Sequence, residues 1–166
     1  AGRLVHVGHG VVRCDPTAAL ERRLQQIFAE LSAAMALFRP DAVAVEGVFA
    51  FKNARSALVL GHARGVALLV AAQRGLGVHE YPPARVKKSI GAGGNDSKEA
   101  VSRMVHALLR VGRVERQDAI DALAVAICHL HQRGSSRSVG SRGKKNGFAV
   151  LADRLAPAYV PAGAAR

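Results

Sequence analysis
Cysteine is nearly absent: the 166 residues hold two, Cys14 and Cys128. Two thiols so far apart in sequence exclude a disulfide framework and any zinc-finger spacing, and they fit a reducing cytoplasm. Long apolar runs are missing as well. No uninterrupted stretch reaches the roughly 18 residues of a membrane helix, so a soluble protein with no membrane partner is expected. The opening Ala1-Gly2-Arg3-Leu4 shows no charged n-region leading into an apolar h-region, and it lacks an initiating Met, which reads as a chain beginning downstream of the natural start. No internal repeat is visible. Acidic residues are scarce: 12 Asp+Glu face 24 Lys+Arg, a formal net charge of +12 with a pI near 11.0. A field of that sign concentrates polyanions, and nucleic acid becomes the leading partner. What the chain does have is apolar content, 49% of residues. That is enough to bury a core in a length typical of one domain, about 100–200 residues, and it excludes wholesale disorder and collagen-like repetition.

Periodicity divides the chain into alternating elements. Leu4, Val5, Val7, Val11 and Val12 interleave with His and Gly, the pattern of a half-buried strand ending near Arg13. Asp15-Pro16-Thr17 is a turn and helix start. Leu20, Leu24, Ile27, Phe28, Leu31, Met35 and Phe38 then follow at helical spacing until Arg39-Pro40 stops the pattern. Asp41 to Glu46 is a short apolar run closed by an acid, the look of a strand buried on both faces. After a loop at 49–53, residues 54–72 have a helical period carrying Gly61 and Gly65. Val78 to Tyr81 reads as a brief strand closed by Pro82-Pro83, and Arg85, Lys87 and Lys88 form a basic patch. A glycine-rich loop from Gly91 to Gly94 precedes a helix over about 97–109. A last helix over about 117–132 aligns Ile120, Leu123, Ala124, Ile127 and Leu130 in one stripe. Strands separated by helices predict an α/β domain. From Arg133 to Gly147 the chain is rich in Gly, Ser and base and poor in apolar residues, which predicts a disordered basic tail, and residues 148–155 suggest one short helix.

Three carboxylates occupy positions where an apolar residue costs less: Glu46 at the end of the buried-looking strand, and Asp118 and Asp121 at the head of an apolar helix. An ionised carboxylate in such a place needs a compensating cation. Asp118 and Asp121 stand three residues apart, so both project from the first helical turns toward one side. Carboxylate oxygens suit Mg²⁺ or Mn²⁺, ions that activate water and neutralise charge on a phosphate. A basic chain with an acidic cluster therefore suits a nuclease. Plainer readings stand beside this one: acids favour the first turn of a helix through the dipole and capping, and a strand-end Glu can simply pair with an arginine. The Gly91 to Gly94 loop could cradle a phosphate on backbone N–H groups or be only a turn, and it lacks the Lys-Ser/Thr of a P-loop. His129 and His131, in the last turns of the final helix, read as structural. His6, His9, His62, His79 and His106 show no ligand spacing.

Val45-Glu46-Gly47-Val48-Phe49, then Lys52-Asn53-Ala54, Ser56-Ala57-Leu58, Leu60-Gly61, Ala63-Arg64-Gly65-Val66, and later the run from Asp118 to Ala124 (Asp-Ala-Ile-Asp-Ala-Leu-Ala) resemble the RuvC family of crossover junction endodeoxyribonucleases, from about Leu4 to His131. The resemblance implies an α/β fold of ribonuclease-H-like type, three α/β/α layers around a mixed sheet. It also implies a homodimer on a four-way Holliday junction, Mg²⁺-dependent symmetric nicking with Mn²⁺ as a substitute, and association with a branch-migration motor. By position Glu46, Asp118 and Asp121 match the family's metal-binding catalytic acids. Phe49 matches an aromatic that helps hold junction bases apart, with a core or loop anchor as its plainer role. Lys87 and Lys98 match basic positions near the active site, where lysine meets phosphate as a point charge. Lys52, Asn53, Arg55 and Lys88 complete the expected DNA contacts.

One departure stands out. The family opens with a strand bearing its first catalytic Asp, followed by a second strand, and neither has a counterpart before Ala1; Asp15 cannot substitute, because it follows the first visible strand and opens a helix. The expectation is a nuclease domain over 1–132, incomplete at its N-terminus, with a basic tail over 133–166. For the natural protein the resemblance implies a structure-selective endonuclease acting in recombination and repair. The alternatives are a junction-binding module without hydrolysis, because one acid is missing, and a basic scaffold in which acids and activity are uncoupled.

Overall fold
The computed structural model describes residues 3–47, 53–91, 97–112, 114 and 116–136. Its elements run α1 (Leu20–Phe38), β1 (Ala42–Glu46), α2 (Ala54–Gln73), β2 (Gly77–Tyr81), α3 (Pro83–Ser89), α4 (Lys98–Leu109) and α5 (Gln117–Ser136). Two compact units divide the chain, one of residues 12–80 and one of residues 1–11 with 81–166.

In the unit over 12–80, Asp15 accepts from the Thr17 N–H at 2.8 Å and the Thr17 hydroxyl at 2.7 Å, a turn that feeds the chain toward α1. Those two bonds hold the Asp15 carboxyl below the usual carboxylate range. At its far end α1 closes on Arg39, whose N–H donates to the Met35 carbonyl at 3.1 Å and whose left-handed φ of 45° turns the chain out of the helix; Pro40 then prevents another turn. The next helix, α2, packs on α1, and Arg74 Nη2 donates to the Ser32 carbonyl at 2.7 Å. Asn53 starts α2, its side-chain oxygen accepting from the Arg55 N–H at 2.9 Å. Gly75, at φ 65°, ends that helix in the conformation glycine adopts at no steric cost. The two strands β1 and β2 pair in a two-stranded sheet, and Arg64 on α2 forms an ion pair with Glu80 on β2.

In the other unit, α3 and α4 each pack on α5. Pro83 takes the first turn of α3, where its missing N–H costs nothing. Ser97 caps α4, accepting from the Ala100 N–H. The core is built from Val86 and Ile90, Val101 and Val105, Val114, and the α5 residues Ile120, Ala124, Ile127 and Cys128. Spacing of three and four puts the α5 members on one stripe.

Several expectations are corrected. Residues 3–14 form no strand, although their alternation is real, because among the described residues they have no ladder partner; Val5 and Val7 are left exposed. Ala42 to Val45 are half-buried, not enclosed on both faces, since the described sheet has one neighbour for β1. A helix, α3, occupies the basic patch, its seven residues too few to show a period. The last helix continues through residues 133–136, so the tail's start is helical. Finally, α2 is long and apolar enough to cross a membrane by length and composition. Its arginines interrupt the apolar run without lowering the average far, and they serve the Arg64–Glu80 pair and the first turn. The Gly91 to Gly94 loop beyond Gly91, the basic run after Ser136 and the short helix over 148–155 lie outside the described residues.

Because Ile127 is 1% exposed, Ile127→Ala should lower unfolding free energy by about 2–5 kcal/mol, read as a lower urea midpoint with an unchanged slope.

Candidate metal and nucleic-acid site
The stripe that buries α5 leaves its first turn facing water. The Arg116 carbonyl accepts from the N–H groups of Ala119 (3.1 Å) and Ile120 (3.2 Å), starting the helix. Ala119 and Ile120 plug into the core at 2% and 1% exposure, which fixes where the flanking Asp118 and Asp121 emerge. Both acids are exposed, and helical side chains lean toward the N-terminus, where the dipole favours negative charge. Arg116 Nη2 stands 3.5 Å from Asp118 Oδ2 in an exposed pair, worth about 0–1 kcal/mol before screening. Gln117 Nε2 donates to Asp121 Oδ1 at 2.8 Å.

The third acid, Glu46, is the last residue of β1 in the unit over 12–80 and is likewise exposed. This corrects the expectation that burial of these carboxylates demands a counter-cation, since all three stand in water. Among the described residues no three of the His, Cys, Asp and Glu side chains gather as a metal-ligating group. Asp118 and Asp121 nonetheless offer carboxylate oxygens to water, as Glu46 does in its own unit, and such oxygens are the donors that a hard divalent ion such as Mg²⁺ takes.

The expected DNA contacts divide between the units. Asn53 and Arg55 lie exposed at the start of α2, with the Asn53 oxygen engaged as the helix cap. Lys87 and Lys88 close α3, the first half-buried and the second exposed, and Lys98 opens α4 in water. Phe49 and Lys52 lie outside the described residues.

The structural reading of His129 and His131 holds, but their partners were not foreseen. Buried Tyr81 shares a 2.7 Å hydrogen bond with His129 Nδ1 across 48 residues. The neighbouring Gln132 Nε2 donates to Cys128 Sγ at 3.3 Å. His131 Nδ1 donates to the Ser89 carbonyl at 2.9 Å, so both histidines tie α5 to its neighbours. No local pattern announces a pair so distant in sequence. For Gln117 and Asp121 a signal existed, their i, i+4 spacing on a helix. His6 and His9 also pair, ring nitrogen to ring nitrogen, at 3.0 Å.

A family model described as crossover junction endodeoxyribonuclease RuvC matches residues 1–129. The chain belongs to the RuvC family. A RuvC of Myxococcus xanthus (strain DK1622) is 61% identical over 163 residues, 95% of this chain and 85% of that relative. The RuvC of Geobacter sp. (strain M21) is 47% identical over 134 residues, 81% of this chain and 82% of its own. Among solved structures, Thermus thermophilus RuvC is similar at a TM-score of 0.70 and 32% identity, covering 81% of this chain and 80% of that one. The same protein in complex with a Holliday junction substrate matches at 0.70 and 31%, covering 80% of each. The fold is thus the ribonuclease-H-like α/β type of RuvC, and the relatives are DNA-hydrolysing endonucleases by name.

Burial, and then Cys128, push the Tyr81 phenol above its ordinary value of 10.0, against the opposing pull of Arg85 and Arg133. A raised folded-state value gives stability that is complete below the unfolded value and lost as pH climbs through the folded one. Tyr81→Phe removes the hydrogen bond to His129 and should lose about 1 kcal/mol at neutral pH. It should also show a smaller fall in urea midpoint than the parent as pH rises above about 10.

Proposed function
We propose that this protein is a structure-selective DNA endonuclease that resolves Holliday junctions by symmetric Mg²⁺-dependent phosphodiester hydrolysis in recombination and repair. The observation that carries the reading is the exposed Asp118–Asp121 pair at the head of α5, in a RuvC-family chain of net charge +12. Support for the substrate comes from the Thermus thermophilus RuvC solved with a Holliday junction.

Glu46, Asp118 and Asp121 are the catalytic acids and would hold Mg²⁺, or Mn²⁺ in its place. A divalent ion held by such carboxylates supplies charge to offset the phosphate and acidity to activate a water. The chain's own residues do the rest. Lys87, Lys88, Lys98, Lys52, Asn53 and Arg55 bind the sugar-phosphate backbone and set register. Phe49 wedges against junction bases. Arg116 would release Asp118 to a bound cation at little cost, because the pair is solvated.

The working form is a homodimer, which provides two sets of acids for two symmetric nicks. Its support in this chain is α2, which leaves Leu58 62% and Leu69 51% exposed on the helical face that also carries Gly61 and Gly65. The nuclease domain covers 1–132, and the basic residues over 133–166 add phosphate affinity without sequence preference. The protein acts in the cytoplasm, in association with a branch-migration motor.

Asp118→Asn and Glu46→Gln should each lower junction nicking by about a hundredfold or more. Junction affinity should stay within a few-fold or rise, because a negative charge leaves the DNA face. Chelation of the divalent ion should do the same. Nicking that survives both substitutions, scored on labelled four-way DNA, would support the basic-scaffold alternative.

A further inference from the structure
We propose that Gln117 is a positioning residue for Asp121, presetting that carboxylate for a divalent cation; the proposal rests on the reading of Asp121 as a metal ligand. Gln117 is the first residue of α5 and Asp121 follows one turn later. The amide Nε2 donates to Asp121 Oδ1 at 2.8 Å. An aspartate exposed to water samples several rotamers, and selecting one costs entropy when a ligand binds. A donor fixed to Oδ1 removes part of that cost beforehand and leaves Oδ2 open, which is how outer-shell hydrogen bonds orient metal-binding carboxylates.

The chemistry of the donor matters as much as its reach. A lysine or arginine in this place would bring a positive charge that competes with the incoming cation. Glutamine orients the carboxylate while leaving its charge intact. Asp118 has the contrasting arrangement: its partner Arg116 is charged, stands 3.5 Å away, and both side chains are more than half exposed. One acid is therefore held in a set orientation by a neutral group, and the other is loosely screened by a displaceable cation. Gln117 touches neither substrate nor reacting atoms in this scheme. It acts only through Asp121.

The test titrates Mn²⁺ into the protein without DNA, reading free ion by its paramagnetic resonance signal, in the parent and in Gln117→Met, Gln117→Ala and Asp121→Asn. Both Gln117 variants should bind Mn²⁺ about tenfold more weakly with melting temperatures unchanged or, for Ala, raised, since Ala favours the helix. In junction nicking, the half-saturating Mg²⁺ concentration should rise by a similar factor while the rate at saturating Mg²⁺ changes less. A purely structural role for Gln117 would move melting and leave that split untouched. Parent-like Mn²⁺ affinity in both Gln117 variants, with affinity lost in Asp121→Asn, overturns the proposal and leaves the site reading standing. Parent-like affinity in all three variants overturns both.

Discussion
A carboxylate presented to a phosphodiester repels it, and a protein that must bring the two together needs a cation between them and a wide positive field around them. This chain answers both requirements. Its 24 basic residues against 12 acidic ones draw in a polyanion over distances limited by screening. Few acids are available to spoil that field, yet two of them stand one turn apart in water at the start of α5. Surface acids usually sit among counter-charges, and here the nearest arginine pairs with Asp118 only loosely. Oxygen ligands in that state suit a hard divalent ion.

Placing a small carboxylate pair accurately depends on the helix beneath it. The α5 stripe of Ile120, Ala124, Ile127 and Cys128 is almost wholly enclosed, at 1%, 1%, 1% and 0% exposure, and α3 and α4 cover it. Close packing of that kind leaves a helix little freedom to slide or rotate. Polar contacts add direction: Tyr81 to His129 and His131 to the Ser89 carbonyl bind α5 to the end of β2 and to α3. The same α3 delivers Lys87 and Lys88 in its last turn. Asp118, Asp121 and these two lysines therefore hang from one packed core.

Much of this organisation was legible in the residues themselves. The spacing of Leu20 through Phe38 marks the body of α1, which starts a few residues after the helix start read at Asp15-Pro16-Thr17, and Arg39-Pro40 explains its end. The short β1 and β2 were visible as apolar runs closed by Glu46 and by the two prolines. Alternation in residues 4–12 was a weaker guide, because a strand exists through hydrogen bonds to a neighbour that no single segment encodes. The helix α3 has two turns and announces itself only by Pro83 at its start. At the site, Glu46, Asp118 and Asp121 were singled out by their misfit among apolar neighbours, and family resemblance ranked them above the plainer helix-dipole reading. Their exposure was misjudged, since a strand and helix that look apolar can still end in water. Gln117 escaped because an uncharged donor makes no pattern in charge or hydropathy. His129 was read as structural, but its pairing with Tyr81 escaped because a contact 48 residues apart exists only once the chain has folded.

In the proposed function, branched DNA held by the basic surface is cut through the acids with a divalent ion. Its most direct test compares the protein on a labelled four-way junction and on linear duplex of the same sequence, with and without Mg²⁺, scoring binding and nicking separately. Tighter binding to the junction is expected in either condition, with paired symmetric nicks on the junction that require Mg²⁺. Equal binding and nicking of linear duplex, or nicks that persist when the ion is chelated, would contradict it.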